Sequence, residues 1–510
     1  MGSISLQNLS IIAGVQLFRE LSLVIADGDR VGLIAGNGNG KTTLLRLIAG
    51  LAEPTTGEVV RSRGLRIGYV EQDVPTHLMA LSMRDAVLEA LPTADREADA
   101  WRADVALDGF ETPWEMRDRL VSELSGGWQR LMLIARVWVS EPDALLMDEP
   151  TNHLDLGKIF RLEQWLNREA RNVPLLVASH DRDFLDTVTN RTLFLRPGTS
   201  RYFALSYSAA RAELEREDEA QEAQNERDLK EAAKLRKQAA KLNNIGINSG
   251  SDLLVVKTKQ LRERAARIEE RVIDAHKERS GEIRLANRGT HARLLVGIEN
   301  VTVTTPVGTP LFRIDKLHIF QGERIVLLGR NGTGKSQFVK LLNRAITDAG
   351  NGAGVEGIKV TPSVVLGYTD QAMSQLPDRE TPEAFIGTRF RLPDARVRSL
   401  LAAAGFAIEK QSRPMAELSF GQRARVGLLA LRLTEPNFYL MDEPTNHVDI
   451  PGREALEAEI LEHEATAVLV SHDRSFVRHV GNRYLLIEGR RLREVDGPES
   501  FFEEMALGAV

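Results

Sequence analysis

Two lysines sit in glycine-rich loops 294 positions apart, Lys41 in AGNGNGKTT and Lys335 in GRNGTGKSQ. Each loop follows a short apolar run, VGLIAG at 31–36 or RIVLLG at 324–329, and opens a helical pattern at Thr42 or Ser336. A strand, such a loop and a helix can cradle a polyphosphate. Backbone N–H groups and the positive end of the helix dipole face the phosphates, Lys neutralises the β/γ oxygens, and the hydroxyl reaches Mg2+. The first cradle is Gly36, Asn37, Gly38, Asn39, Gly40, Lys41, Thr42 and Thr43, and the second is Gly329, Arg330, Asn331, Gly332, Thr333, Gly334, Lys335 and Ser336. The second fits G-x-x-x-x-G-K-[ST] fully. The first has Ala35 in the leading glycine position, and since Ala does not adopt φ > 0 freely, a tolerant or slightly reshaped turn is expected there.

Two further residue sets suit phosphoryl chemistry. Asp148 and Asp442 end apolar runs and are followed by Glu149 and Glu443. The Asp can hold Mg2+ while the Glu polarises an attacking water; the alternative is that these acids cap the turn at Pro150 and Pro444. His180 and His472 follow the next apolar runs, LLVA and AVLV. These runs are too short for helices and read as buried parallel strands, whose carboxyl ends are where an open α/β sheet binds ligands. The helices that must follow are KTTLLRLIAG, closed by Gly50, and KSQFVKLLNRA.

The same unit is written twice. LSGGW at 124–128 recurs as LSFGQ at 418–422 and MDEPTNHLD at 147–155 as MDEPTNHVD at 441–449, both offset by 294; ASHDRDF recurs as VSHDRSF at offset 292. Repeats of this length mark homologous modules, 1–205 and 291–510, separated by a segment, 206–290, unlike either. From Ser206 to Leu242 and from Asp252 to Ser280 that segment lacks Pro and Gly and is rich in helix formers. NNIGINSGS at 243–251 reads as the turn of a helical hairpin, with Leu214, Leu229, Leu235 and Leu242 meeting Leu254, Leu261, Ile268 and Val272 across the seam. Residues 211–231 carry four basic and nine acidic side chains, whereas 234–267 carry nine basic and two acidic. A basic tip without aromatics suits the backbone and shape of folded RNA rather than base stacking. A solvated helical linker is the plainer alternative.

Composition sets outer limits. The 510 residues hold 66 Lys+Arg against 72 Asp+Glu, a net charge of −6, with no cysteine, which excludes a disulfide scaffold or a Cys-ligated metal. No apolar run of about 18 residues suggests a membrane span, and neither a secretory leader nor a myristoylation pattern is expected. The overall balance is mildly unfavourable to nucleic acid unless charge is unevenly distributed, as it is in the hairpin.

With these motifs in this order, the sequence resembles tandem ATP-binding cassette proteins of the ABC-F class over essentially its whole length. LSGGW and LSFGQ match the signature, Gln72 in GYVEQ and Gln371 in GYTDQ match the Q-loop, and DEPTNHxD is typical of the class. The resemblance implies an α/β fold of two P-loop ATP-binding cassette domains in tandem, joined by a long α-helical hairpin linker. It implies an ATPase with ATP and Mg2+ as cofactors, each ATP lying between the P-loop face of one module and the signature of the other. One site would use Lys41, Thr42, Gln72, Asp148, Glu149 and His180 with Ser419 and Gly421. The other would use Lys335, Ser336, Gln371, Asp442, Glu443 and His472 with Ser125, Gly126 and Gly127. Mg2+ would fall to Thr42, Gln72 and Asp148, and to Ser336, Gln371 and Asp442, with Asp155 and Asp449 crossing between modules.

Three features depart from the family pattern: Phe420 in one signature, Trp128 in the other, and the lack in both modules of the adenine-stacking aromatic common there, where Ile12-Ala13 and Thr305-Pro306 stand. By the same resemblance the partner is the ribosome, its RNA and P-site tRNA, approached by the linker. The protein would be a cytoplasmic monomer with an intramolecular cassette dimer, no stable membrane partner and no DNA, acting in translation or in protection against ribosome-targeting antibiotics. The 53 residues from Gln72 to Ser125 and 48 from Gln371 to Ser419 leave no room for a substantial inserted arm. The ATP-hydrolysing subunit of a tandem-cassette sugar importer is the alternative; a DNA-repair or chromosome-organising ATPase fits less well.

Overall fold

The computed structural model describes residues 2–92, 96, 98–249, 252–271, 284–289, 292–371, 373–406, 408–446 and 448–508. In the first module a six-stranded sheet runs in the order Ile67–Val70, Ala144–Asp148, Leu175–Ala178, Arg30–Ile34, Arg191–Phe194, Arg201–Phe203. Its first five strands are parallel and the last is antiparallel. The central strands RVGLI, ALLMD and LLVA are buried throughout, as strands covered on both faces must be. Beside them an antiparallel sheet places Ile4–Ala13 between Val15–Ile25 and Thr56–Arg61.

The second module repeats this plan as one nine-stranded sheet. Its parallel part is Arg483–Glu488, Arg324–Leu328, Thr466–Val470, Phe438–Asp442 and Leu366–Thr369, in that order. The strand Pro310–Phe320 joins its antiparallel part to Arg491–Val495 through the pair Arg313 and Arg491. In both modules Asp148 or Asp442 is the last residue of its strand, and the helices Lys41–Ala49 and Lys335–Gly350 begin at the loop lysines. The two-module α/β architecture expected from the repeat is therefore present.

Between the modules a 43-residue helix, Tyr207–Ser249, is followed by Asp252–Arg271. At 1.5 Å per residue the first helix is about 64 Å long. This corrects the expected turn at 243–251: residues 243–249 continue the helix, and Gly250 and Ser251 lie outside the described residues. One glycine costs a helix interior only about 1 kcal/mol, a penalty that continued backbone hydrogen bonding can absorb.

The expected seam also needs correction. Leu214 is buried in the core of the first module together with Tyr207 and Ala210, and Leu229 is 49% exposed. Leu235, Leu261 and Ile268 do lie at the seam as expected, but it is completed by Ala232 and Ala265, and Val272 lies outside the described residues. Small side chains let the backbones approach, and two interhelical ion pairs flank the seam, Arg236 to Glu269 at 2.5 Å and Arg264 to Glu231 at 3.0 Å. At its base the long helix is pinned to both modules: Arg196 pairs with Asp218 at 2.6 Å, and Arg211 reaches Glu454 at 3.1 Å. The basic residues at 234, 236, 237, 241, 257, 259, 262, 264 and 267 are all exposed. No helix among the described residues is long and apolar enough to cross a membrane.

Candidate functional site

The glycine-rich loops turn through left-handed backbone that a side chain resists. Gly38 and Gly40 have φ of 81° and 90°, and Gly332 and Gly334 have 79° and 107°. A Cβ on Gly334 would stand 2.9 Å from Leu311, so that position excludes one on space as well. The leading positions differ as expected: Gly329 takes φ of 151°, whereas Ala35 avoids positive φ, so the first turn is reshaped.

Both lysines fold back into their loops. Lys41 Nζ donates to the Ala35 carbonyl at 3.0 Å and lies 2.8 Å from His180 Nε2; Lys335 Nζ donates to Gly329 O at 2.6 Å and Arg330 O at 3.1 Å. Burial lowers the Lys335 pKa, against the pull of Glu443 and Asp442. The Thr42 hydroxyl faces Asp148, and that of Ser336 faces Asp442, each favouring the ionised carboxylate. Burial raises both Asp pKa values above the ordinary range, and Asp148 Oδ2 is buried with no hydrogen-bond partner. A hydroxyl, a carboxylate with a lone oxygen and a Gln amide in one cavity suit a hard cation that shares its remaining ligands with phosphate, as Mg2+ does.

Glu149 and Glu443 do not cap the next turn. Each takes left-handed backbone, φ 49° and 55°, while its N–H donates to the neighbouring strand at Ala178 or Val470, 2.8 Å away. That conformation is uncommon for a side chain this size and typical of functional sites. Glu149 Oε1 is 3.2 Å from His180 Nε2 and 3.5 Å from Lys41 Nζ, and Glu443 Oε1 is 3.5 Å from His472 Nε2. Burial raises the Glu149 pKa, and burial with the neighbouring Asp442 pushes that of Glu443 up to about 8. Burial, then Lys335, holds His472 down at about 3. The residues that do cap are Asp155, Asp449, Asp181 and Asp473, which accept from Lys158, Gly452, Phe184 and Phe476.

The modules meet face to face, and each strand-end set looks into a cavity shared with the other module. The first cavity, about 690 Å3, is lined by Gly36, Asn37, Gly38, Gly40, Lys41, Thr42 and Thr43 with Gln72, Asp148, Glu149 and His180, and across from them Ser419, Gly421, Gln422 and Arg425. Asn39 turns its amide beside Gly36. The second, about 410 Å3, brings Asn331, Gly332, Gly334, Lys335, Ser336, Gln371, Asp442, Glu443 and His472 against Asn152, His153 and Asp155. Thr305 and Leu311 line it too. Arg330 turns away to Glu504 at 3.0 Å, and Thr333 donates to Arg330 O at 2.9 Å.

The first signature is not brought to the wall of that second cavity. Ser125, Gly126 and Gly127 are not among its lining residues, and a Cβ on Gly126 would stand 3.1 Å from His153 Cβ. Asp449 and Asp155 cross between modules: Asp449 Oδ2 accepts from Asn37 N at 2.9 Å, and Asp155 Oδ2 from Asn331 Nδ2 at 3.2 Å.

Several buried charges escape motif reasoning. Arg130 donates to the Glu71 carbonyl at 2.6 Å and to that of Gln72, fixing the backbone at Gln72. Arg182 forms a two-pronged pair with Glu457 of the other module, and Arg474 forms its counterpart with Glu163, at 2.5 and 3.3 Å. Arg453 donates to the His180 carbonyl at 2.9 Å and to Asp473 at 2.8 Å. A signal existed: Arg follows His-Asp in both copies, and Glu163 and Glu457 stand at the 294 offset.

Known proteins match this layout along the chain. The family model described as "ABC transporter" matches twice, at residues 18–152 and 312–446. ABC transporter F family member 2 of Arabidopsis thaliana is 30% identical, the alignment covering 99% of this chain and 79% of that protein. The ribosome protection protein VmlR of Bacillus subtilis (strain 168) is 27% identical, covering 96% and 88%. Among solved structures, the complex of archaeal ribosomal stalk protein aP1 and ribosome recycling factor aABCE1 shares the fold, with a TM-score of 0.63 at 19% identity over 98% of this chain and 92% of that one.

Proposed function

Since the chain belongs to the ABC-F group of tandem ATP-binding cassette proteins, we propose that this ATPase works on the ribosome, with its modules closing on two ATP and its hairpin serving as the probe. The observation that carries the reading is the exposed basic end of a helix about 64 Å long, anchored by ion pairs to both modules. Nine basic and two acidic residues at 234–267 favour a phosphate backbone, and the absence of aromatics there favours shape over base stacking. The ribosome protection named in VmlR and the ribosome recycling named in aABCE1 support the same partner.

In this reading the cassettes are 1–205 and 291–510 and the linker is 206–290. Lys41 and Lys335 neutralise phosphate oxygens within the loop N–H cradles. Thr42, Asp148 and Gln72, and Ser336, Asp442 and Gln371, would hold Mg2+, which would supply charge neutralisation to the phosphates. Glu149 and Glu443 accept a proton from the attacking water, and His180 and His472, beside them, orient it. ATP binds the closed arrangement more tightly than the open one, the ribosome selects the closed form, and hydrolysis releases it. The hairpin end approaches P-site tRNA and ribosomal RNA, either modulating translation or displacing an antibiotic.

The test is co-sedimentation. A chain with Glu149→Gln and Glu443→Gln should bind ATP and remain in the ribosome pellet, whereas the parent chain is released as ATP is hydrolysed. ATP binding without ribosome retention by the double variant would exclude this function.

A further inference from the structure

The repeat makes the two composite sites look equivalent, yet one contact has no counterpart. Trp128 occupies the position of Gln422, and Lys158 that of Gly452, both at the 294 offset. In the second module Gln422 closes a capping box with Ser419, the helix after Asp449 brings a backbone N–H to that carboxylate, 3.2 Å away at Gly452, and the nearest cation, Arg425 of the signature helix, stands 4.0 Å from it with no ring beside it. In the first module Ser125 makes no side-chain cap bond. Instead the Lys158 ammonium lies 5.1 Å from the centre of the Trp128 ring and 2.5 Å from Asp155 Oδ2.

Three further observations tie this pair to the phosphate loop across the interface. Asp155 Oδ2 also accepts from Asn331 Nδ2 at 3.2 Å, so one oxygen joins the Lys to the second loop. Lys158, Arg330, Asn331 and His472 line one cavity of about 220 Å3 beside that loop. A Cβ on Gly127 would come 3.1 Å from Lys158 Cδ, so the signature glycine admits the lysine stem. Burial is the largest single influence on Asp155 and opposes its ionisation, but the side-chain bond, charge and backbone N–H of Lys158, with His472 behind them, together outweigh it and leave the carboxyl below its usual range.

We propose that Trp128 and Lys158 are a positioning pair for the Lys335 site alone: the indole face fixes the ammonium, the ammonium fixes Asp155, and Asp155 fixes Asn331. Neither residue touches the nucleotide. An aromatic face attracts a cation, most strongly when water is excluded, and a carboxylate held by two donors keeps one position. The Lys335 site is thereby built against a wall fixed by a close ammonium and a ring face, whereas at the Lys41 site Asp449 is held by backbone N–H groups and faces its nearest cation, Arg425, only at 4.0 Å. Two unequal nucleotide sites follow. The inference rests on the composite-site reading above.

The test uses the full chain with Glu149→Gln and Glu443→Gln, loaded with Mg2+ and a fluorescent N-methylanthraniloyl ATP, then chased with excess ATP. Two release phases are expected, with Lys335→Ala removing the one that belongs to the Lys335 site. Trp128→Leu and Lys158→Met should each speed that phase fivefold or more and leave the other within twofold. Trp128→Phe and Lys158→Arg, which keep the ring face and the cation, should restore it to within twofold. Equal acceleration of both phases, a single phase unaffected by any variant, or a Trp128→Leu variant indistinguishable from Trp128→Phe would each overturn the proposal. Failure of the parent to retain any nucleotide would instead remove the composite-site reading.

Discussion

The Arg474→Met substitution tests how the two modules are held together. Arg474 and Glu163 are each about 5% exposed and make two parallel bonds across the module boundary. Removing one partner of a buried pair strands the other charge and costs about 3–5 kcal/mol, or roughly 10^2 to 10^3.5 in the equilibrium at 1.4 kcal/mol per decade. In the open form Glu163 is rehydrated, so the cost falls on closure. If closure is linked to two ATP, the half-saturating concentration moves with the square root of that factor, about 10- to 60-fold.

The assay is energy transfer between dyes on Leu51→Cys and Ile408→Cys. Both parent residues are exposed, and a chain without native cysteine gives no background labelling. Arg182→Met should behave alike, because Arg182 and Glu457 make the same kind of pair in the opposite sense. Combining Arg474→Met with Glu163→Leu should recover most of the loss, since an apolar pair of similar volume replaces a buried ion pair at little net cost. A shift of less than threefold in Arg474→Met, or a double variant no better than the single one, would refute the reasoning.

Other outcomes follow from the same contacts. His472 titrates far below its unfolded value, so it contributes stability above pH 6.5 that is lost as pH falls towards its folded value of about 3. Urea unfolding should show the parent chain losing about 2 kcal/mol more than His472→Gln between pH 6.5 and 5, and equal losses would contradict the buried neutral imidazole. Leu214→Ala, at a fully buried position, should cost about 2–5 kcal/mol in the same assay, against under about 0.5 for Leu229→Ala at a half-exposed one. Replacing Lys234, Lys237, Lys241 and Lys257 with Gln should flatten the salt dependence of ribosome association by about 3 in log K per decade of salt. An unchanged slope would move the contact away from the tip.

Short apolar runs and glycine spacing made the strand ends, their order and the expected nucleotide residues legible in the sequence, because a phosphate cradle leaves little freedom in residue type. The cavities at Lys41 and Lys335 follow directly from that. What stayed hidden depends on distance in space. The pairing of Arg474 with Glu163 needs two modules brought together, and the left-handed backbone at Glu149 and Glu443 leaves no mark on residue identity. In the hairpin apolar spacing found Leu235, Leu261 and Ile268 but missed Ala232 and Ala265, which share the contact, and misplaced Leu214, which belongs to another core. The helix through 243–249 defeated turn propensity, since neither Asn nor a lone Gly is costly enough to end a helix already propagating.

The paired arginines carry a further meaning. Each module supplies both halves of the same bond, an Arg after its His-Asp and a Glu at the matching helix position, and receives their complements from the other. Such a surface is self-complementary: a second copy of either half could satisfy it about a two-fold axis as well as its covalent neighbour does. The chain is in this respect a homodimer with its subunits spliced end to end. Because the halves share one chain they need not be identical, and the tryptophan and lysine at 128 and 158 stand on one side alone.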